Sequence, residues 1–174
     1  MWRPIPMTLT LRQSYTQLPD IFYQVVEPTP VTKPIVLLLN DSLAAELGIE
    51  VEWLHSTQAI DVLSGNQLAS SSVMPIATAY SGHQFGHFNP ALGDGRAHLL
   101  GDIITPDQQQ FDIQLKGSGT TAYSRQGDGR SPLGPVIREY LLSEAMHSLG
   151  VPTSRSLAAV LSEETVYRQG DEPM

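Results

Sequence analysis

Eleven of the fourteen glycines in this 174-residue chain fall between Gly82 and Gly150, while six prolines crowd the first 34 residues. The two regions are therefore under opposite backbone constraints. Proline fixes φ, removes a ladder donor and restricts the residue before it, whereas glycine permits tight turns and close approach of the main chain to a ligand. Residues 1–34 are expected to form a wrapping arm with few regular elements, residues 22–26 making one short strand. A second strand, apolar and buried, is expected at residues 35–39 (IVLLL). Asn40, Asp41 and Ser42 offer N-cap oxygens to a short helix over residues 43–47, and Gly48 is suited to close it in the left-handed conformation. Residues 58–72 read as a helix of modest strength followed by a polar loop.

The glycine-rich region has a different pattern. Residues 96–104 and 111–116 read as two strands joined by a polar, proline-containing turn, which makes a hairpin. In the second strand Phe111, Ile113 and Leu115 alternate with Asp112, Gln114 and Lys116, so period two sends the apolar trio inward and Lys116 to the polar face. Residues 117–134 hold too much Gly, Ser and Thr for a regular element. Pro135 then suits the first turn of a helix running to Leu149, with Gly150 as its stop. Ile137, Leu141, Leu142, Ala145, Met146 and Leu149 form one apolar arc on that helix, with Arg138 inside it and Glu139 and Glu144 near its edges. A guanidinium covered there needs a carboxylate or phosphate partner. Residues 157–161 and 165–168 read as a last hairpin. The expected fold is α+β: an antiparallel sheet with a long packed helix, residues 1–72 packing on a lobe made by residues 73–174.

Composition removes several classes. With 41% hydrophobic and 16% charged residues the chain has the make-up of a folded protein. Ten Lys and Arg against eighteen Asp and Glu leave a net charge of −8, a field that opposes binding to nucleic-acid backbones and anionic membranes. The absence of cysteine excludes disulfides, thiolate zinc sites and cysteine nucleophiles, and fits a reducing compartment. The first residues lack an apolar run of signal-peptide length, and the longest apolar run, residues 35–39, is too short to span a bilayer. The cytoplasm is the expected compartment.

The chemistry concentrates in two tetrapeptides of identical sequence, Gly93-Asp94-Gly95-Arg96 and Gly127-Asp128-Gly129-Arg130. A glycine-rich turn between strands lays N–H groups over phosphate oxygens, and a lysine from the next strand, here Lys116, reaches the same oxygens as a point charge. A carboxylate on the following helix, Glu139 or Glu144, would fix that lysine. Strand, glycine turn, strand with Lys, loop, helix with Glu and hairpin is the order of a kinase-type N-terminal lobe. Arg125, Arg130 and Arg138 bracket the start of the long helix and favour a polyanion there. The alternative is that these arginines pair structurally with Asp94, Asp102, Asp112 or Asp128. His83 and His87 have the i, i+4 spacing of metal ligands, but Gly82, Gly86 and Pro90 argue against a helix, and no third ligand stands out. No serine occupies a Gly-x-Ser-x-Gly elbow, and Ser118 in residues 116–119 (KGSG) does not fit that frame.

Residues 80–86 (YSGHQFG), 92–97 (LGDGRA), 114–119 (QLKGSG), 123–125 (YSR), 128–130 (DGR) and 138–139 (RE) with 143–147 (SEAMH) follow one another in an order that resembles the selenoprotein O / YdiU family. The resemblance implies a pseudokinase-like fold that binds ATP or UTP in an inverted orientation and transfers AMP or UMP to protein hydroxyls. It further implies that Gly93, Gly95, Arg96, Lys116, Asp128 and Gly129 contact the nucleotide and that Glu139 pairs with Lys116. The general base and the Asn and Asp that hold Mg2+ or Mn2+ would lie on a C-terminal lobe beyond Met174, which leaves the isolated chain without turnover. Ala122 stands where the family usually has proline. Two other readings remain at this level: a non-catalytic nucleotide-binding or regulatory module, and a phosphate hydrolase using Asp94, Asp102 and Asp128 as metal ligands.

Overall fold

The computed structural model describes residues 9–166. Among them the architecture is α+β, with a five-stranded antiparallel sheet, a separate two-stranded ribbon and four α-helices. After two short 3-10 turns come β1 (Tyr23–Val25), β2 (Ile35–Leu39), α1 (Asp41–Leu47), α2 (Val51–Leu54) and α3 (Thr57–Ser64). The glycine-rich region supplies β3 (Ile76–Gln84), β4 (His87–Gly93), β5 (Ala97–Ile104), β6 (Gln110–Lys116), α4 (Leu133–Ser148) and β7 (Ala158–Leu161).

Local chemistry accounts for the first helices. The Asn40 side chain accepts a hydrogen bond from the Leu43 N–H at 3.1 Å, and Gly48 ends α1 at φ +75°. Ser56 caps α3 in the same way, and Gly65 closes it at φ +83°. These helices bury Leu43, Ala44, Leu47, Trp53, Leu54, Ala59 and Val62 against Leu100, Ile103 and Ile113 of the sheet. Leu9 and Leu11 complete this core, because Arg12 bridges to Asp102 of β5 and brings the preceding chain with it. Burial of this apolar area is the main stabilising contribution.

The sheet runs in the order β1-β3-β5-β6, and β4 pairs with the distal part of β3. β3 is thus shared: Ile76 faces Leu99 of β5, while Ala79 to Gln84 pair back onto β4 from Gly93 to His87. The sequence reading missed this second hairpin. Its tip places Phe85 at φ +56° and Gly86 at φ +80°, a turn that normally takes Asn or Gly at its first central position. The β5–β6 hairpin is where the alternation put it, with Ala97 opposite Lys116 and Leu99 opposite Gln114.

Four expectations need correction. Ile35 and Leu37 of β2 are exposed, since β2 pairs with β7 in a ribbon outside the main sheet. A continuous apolar run shows a strand but not how many of its faces are covered. β7 takes β2 as its partner and not residues 165–168; Thr165 and Val166 carry no strand, and Tyr167 and Arg168, like Pro4 and Pro6 of the arm, lie outside the described residues. Phe111 is 45% exposed at the turn end of β6, although Ile113 is buried as its period requires. Finally, α4 is long but not packed: it buries no residue, and Leu141, Leu142, Met146 and Leu149 are exposed. The core side of the sheet is already occupied by α1–α3, and the helix leans on β7 alone among the strands it meets closely. Arg138 is exposed for the same reason, so no buried charge needs compensation.

Candidate functional site

The first glycine turn, between β4 and β5, is tied down from three sides. Asp94 accepts hydrogen bonds from the Thr78 N–H (3.1 Å), the Thr78 hydroxyl (2.7 Å) and the Gln114 amide (3.2 Å), which joins the turn to β3 and β6. Thr121 Oγ1 donates to the Asp94 carbonyl at 2.7 Å, and Ser124 Oγ to the Gly95 carbonyl at 2.6 Å. Glycine is required at both positions. A Cβ on Gly93 would sit 2.3 Å from the Tyr123 ring, and one on Gly95 would sit 2.7 Å from the Tyr123 carbonyl oxygen. The Arg96 side chain is half-buried and has no hydrogen-bond or ion-pair partner among the described residues.

Lys116 ends β6 beside this turn, because its register partner Ala97 follows Arg96 directly. Its Nζ lies 2.6 Å from Glu139 Oε2 on α4, both side chains being about half exposed. Glu144, the other carboxylate considered from the sequence, is engaged elsewhere. It receives Arg155 Nε and Nη2, the Ser156 N–H and the Asn40 amide, all between 2.7 and 3.1 Å. Bonding to Arg155, helped by Ser156 and Asn40 against the effect of burial, lowers the Glu144 carboxyl to about 2.

The second glycine turn reaches the same place by another route. Gly117, at φ +81°, and Ser118 both direct their N–H groups at the Arg96 carbonyl, at 2.7 and 3.4 Å, and the Gly119 N–H donates to the Gly129 carbonyl at 3.1 Å. A Cβ on Gly129 would lie 2.1 Å from the Gly119 carbonyl carbon, so the two chains cross with no room for a side chain. Both glycine–aspartate turns are therefore clamped to the three residues that follow Lys116. Asp128 Oδ1 accepts from the Arg130 N–H at 2.9 Å. Beneath the clamp His98 is fully buried, its Nδ1 2.7 Å from Ser118 Oγ. Burial pushes its pKa down, with nearby Arg130 acting the same way and Asp94 opposing, so the ring is neutral at physiological pH.

A cavity of about 1540 Å³ opens between β5–β6, α1, α4 and residues 152–166. Lys116, Ser118, Arg130 and Glu139 are on its wall, whereas Gly93, Gly95, Arg96, Asp128 and Gly129 stand outside it. The arginines divide. Arg130 bonds the Thr29 and Pro30 carbonyls and Glu164, and Arg125 bonds Gln84 at the β3–β4 tip. Asp102 is consumed by Arg12 and the Ser14 N–H; burial raises its pKa, but these bonds outweigh burial and hold it below the ordinary value. His83 packs edge-on against Phe88 in the β3–β4 hairpin. No three His, Asp or Glu side chains gather into a metal-binding group among the described residues, which removes the three-aspartate hydrolase. Sequence reasoning passed over His98 and the bracing role of Asp94. A polar ring in the apolar strand AHLL was the available signal.

An antiparallel α+β scaffold that presents a lysine–glutamate pair beside two glycine–aspartate turns is the class of protein these features define. A family model described as protein adenylyltransferase SelO matches residues 6–174. Relatives named protein nucleotidyltransferase YdiU are 56% identical in Brevibacillus brevis, over 92% of this chain and 32% of the relative, and 57% identical in Halalkalibacterium halodurans, over 89% and 31%. The relative in Nitrobacter winogradskyi is 54% identical over 95% of this chain and 32% of its own length. The chain belongs to the SelO/YdiU family, a family of protein nucleotidyltransferases. It spans about a third of the length of the curated relatives it matches. Among the described residues no helix is long and apolar enough to cross a membrane.

Proposed function

We propose that the chain forms the nucleotide-binding, protein-kinase-like N-terminal lobe of a protein nucleotidyltransferase, one that transfers AMP from ATP, or UMP from UTP, to Ser, Thr or Tyr hydroxyls of proteins. Lys116 would neutralise phosphate oxygens, Glu139 would hold the lysine, and Gly93, Gly95, Arg96, Asp128 and Gly129 would contact the nucleotide. The observation that carries the reading is the common clamp: both glycine–aspartate turns are hydrogen-bonded to the segment directly after Lys116.

In such a transfer the acceptor hydroxyl oxygen bonds to the α-phosphorus, the bond to the bridging oxygen of the β-phosphate breaks, pyrophosphate leaves, and the hydroxyl proton passes to a general base. An inverted nucleotide puts the α-phosphate where a kinase would place the γ-phosphate. This chain's part is electrostatic and positional. No group of three His, Asp or Glu side chains that could hold a metal ion stands among the described residues. Mg2+ or Mn2+ and the general base are assigned to a C-terminal lobe of the whole protein, and the cytoplasm is the proposed compartment.

Calorimetric titration of the chain with ATP and with UTP tests the reading. Binding is expected for the native sequence, and Lys116→Ala is expected to weaken it by about tenfold or more, the loss of one charge-assisted phosphate contact. Unchanged affinity in that variant would sink the nucleotide site. With α-labelled ATP and Mg2+ or Mn2+ the chain should transfer no label to itself; robust self-labelling would place the catalytic groups within these residues.

A further inference from the structure

We infer that His98 and Ser118 form a positioning pair that holds Lys116 and both glycine–aspartate turns in register, an inference that rests on the nucleotide reading above. His98 sits on β5 between Ala97 and Leu99, opposite Leu115 in the ladder, and none of its surface is exposed. An aliphatic residue would fill this position without a desolvation penalty. The imidazole keeps that penalty only partly repaid, because its Nε2 is buried with no hydrogen-bond partner among the described residues. What the ring obtains is one bond, the 2.7 Å contact between Nδ1 and the Ser118 hydroxyl.

Ser118 is the centre of the clamp. Its N–H points to the Arg96 carbonyl of the first turn, and its own carbonyl accepts from the Thr29 N–H at 2.8 Å. The next residue, Gly119, is bonded to Gly129 of the second turn, and two residues earlier stands Lys116. Gly117 at φ +81° and Gly119 at φ +124° leave the backbone on either side of Ser118 in conformations with little intrinsic preference. A fixed hydroxyl at Ser118 supplies what the flanking glycines lack. The Lys116–Glu139 pair cannot do so, since both of its side chains are half in solvent. His98 touches no phosphate in this scheme; it acts through Ser118.

The test measures ATP affinity by calorimetry alongside melting temperature in a set of variants. His98→Leu and Ser118→Ala are each expected to lower affinity about tenfold, the scale set by losing one buried hydrogen bond that orders the site. The double variant should be no weaker than either single one. His98→Asn, whose amide nitrogen can take the place of Nδ1, should restore affinity to within about threefold of the native value. A purely structural role would track melting temperature and show no rescue by Asn. Should His98→Leu fail to fold, Ser118→Ala, a smaller change, carries the test with Ser118→Thr as its rescue. Additive losses, or native affinity in Ser118→Ala while Lys116→Ala has lost binding, would overturn the inference alone. Native affinity in Lys116→Ala would overturn the nucleotide reading and this inference with it.

Discussion

The helices of this fold are held by two different kinds of force. The first group, α1, α2 and α3, encloses Ala44, Trp53, Leu54, Ala59 and Val62 with almost no exposed surface. The other helix, α4, is more than twice the length of α1 and buries no residue at all. It is held by polar ties, Lys116 to Glu139 and Glu144 to Arg155, Ser156 and Asn40. Apolar packing is non-directional and fixes elements cooperatively, whereas ion pairs and hydrogen bonds fix particular atoms. The candidate site lies at the second kind of contact, so its geometry and the stability of the fold are largely separable.

The sharpest way to break this contrast is to truncate one apolar side chain in α2 and one in α4. Trp53→Ala empties the centre of the core and should cost about 3–5 kcal/mol, enough to lower the urea midpoint severely or to prevent folding. Leu142→Ala on the exposed arc of α4 should stay within about 0.5 kcal/mol. Comparable losses in the two variants would mean that α4 is packed after all.

Glu144 provides the intermediate effect. Glu144→Gln removes the charge that gathers Arg155, Ser156 and Asn40, and should cost about 1.5–3 kcal/mol at neutral pH, hydrogen bonds to a charged group being the stronger kind. Its folded carboxyl is lowered from 4.5 to about 2, so the stabilisation is complete above the ordinary value and is lost as pH falls from about 4.5 toward 2. The difference in melting temperature between native and Glu144→Gln chains should therefore shrink steadily over that acid range. A difference that is constant from neutral pH to about pH 3 would show that Glu144 is not depressed by its partners.

How much of this was legible depends on how local the determinants are. Asn40 and Gly48 bracket α1 through contacts within a few residues, and strict alternation in residues 111–116 pointed to the β5–β6 hairpin with its polar face. The β3–β4 hairpin was hidden because Gly82, Gly86 and Pro90 interrupt any period and the turn places a phenylalanine where Asn or Gly is usual. The α4 arc was read correctly as apolar, but periodicity cannot say whether a face meets a partner, and the sheet was already covered. For the site, both tetrapeptides stood out by repetition. The division between Glu139 and Glu144 could not be read from the helix, since it is decided by Arg155 and Asn40, which are distant in sequence from one or both. His98 stood out only as a polar ring in an apolar strand; its meaning comes from Ser118, twenty residues away, and from a turn that only the folded chain assembles.

Among the polar ties of α4, the smaller stability effect belongs to the residue with the largest proposed functional one. Lys116 and Glu139 are 49% and 51% exposed along their side chains, and an ion pair so hydrated contributes at most about 1 kcal/mol, the gain in Coulomb energy being offset by side-chain entropy and screening. Lys116→Ala should melt within a few degrees of the native chain, and raising the salt should narrow even that gap. The Glu144→Gln variant should remain clearly below it under the same conditions, since its carboxylate is better shielded and engages several donors. A large melting loss in Lys116→Ala would mean that the pair carries α4, and any loss of nucleotide affinity in that variant would then report unfolding. A native melting curve with lost affinity assigns the loss to the ammonium itself, the outcome expected if packing maintains the fold while the polar ties around α4 are free to do chemistry.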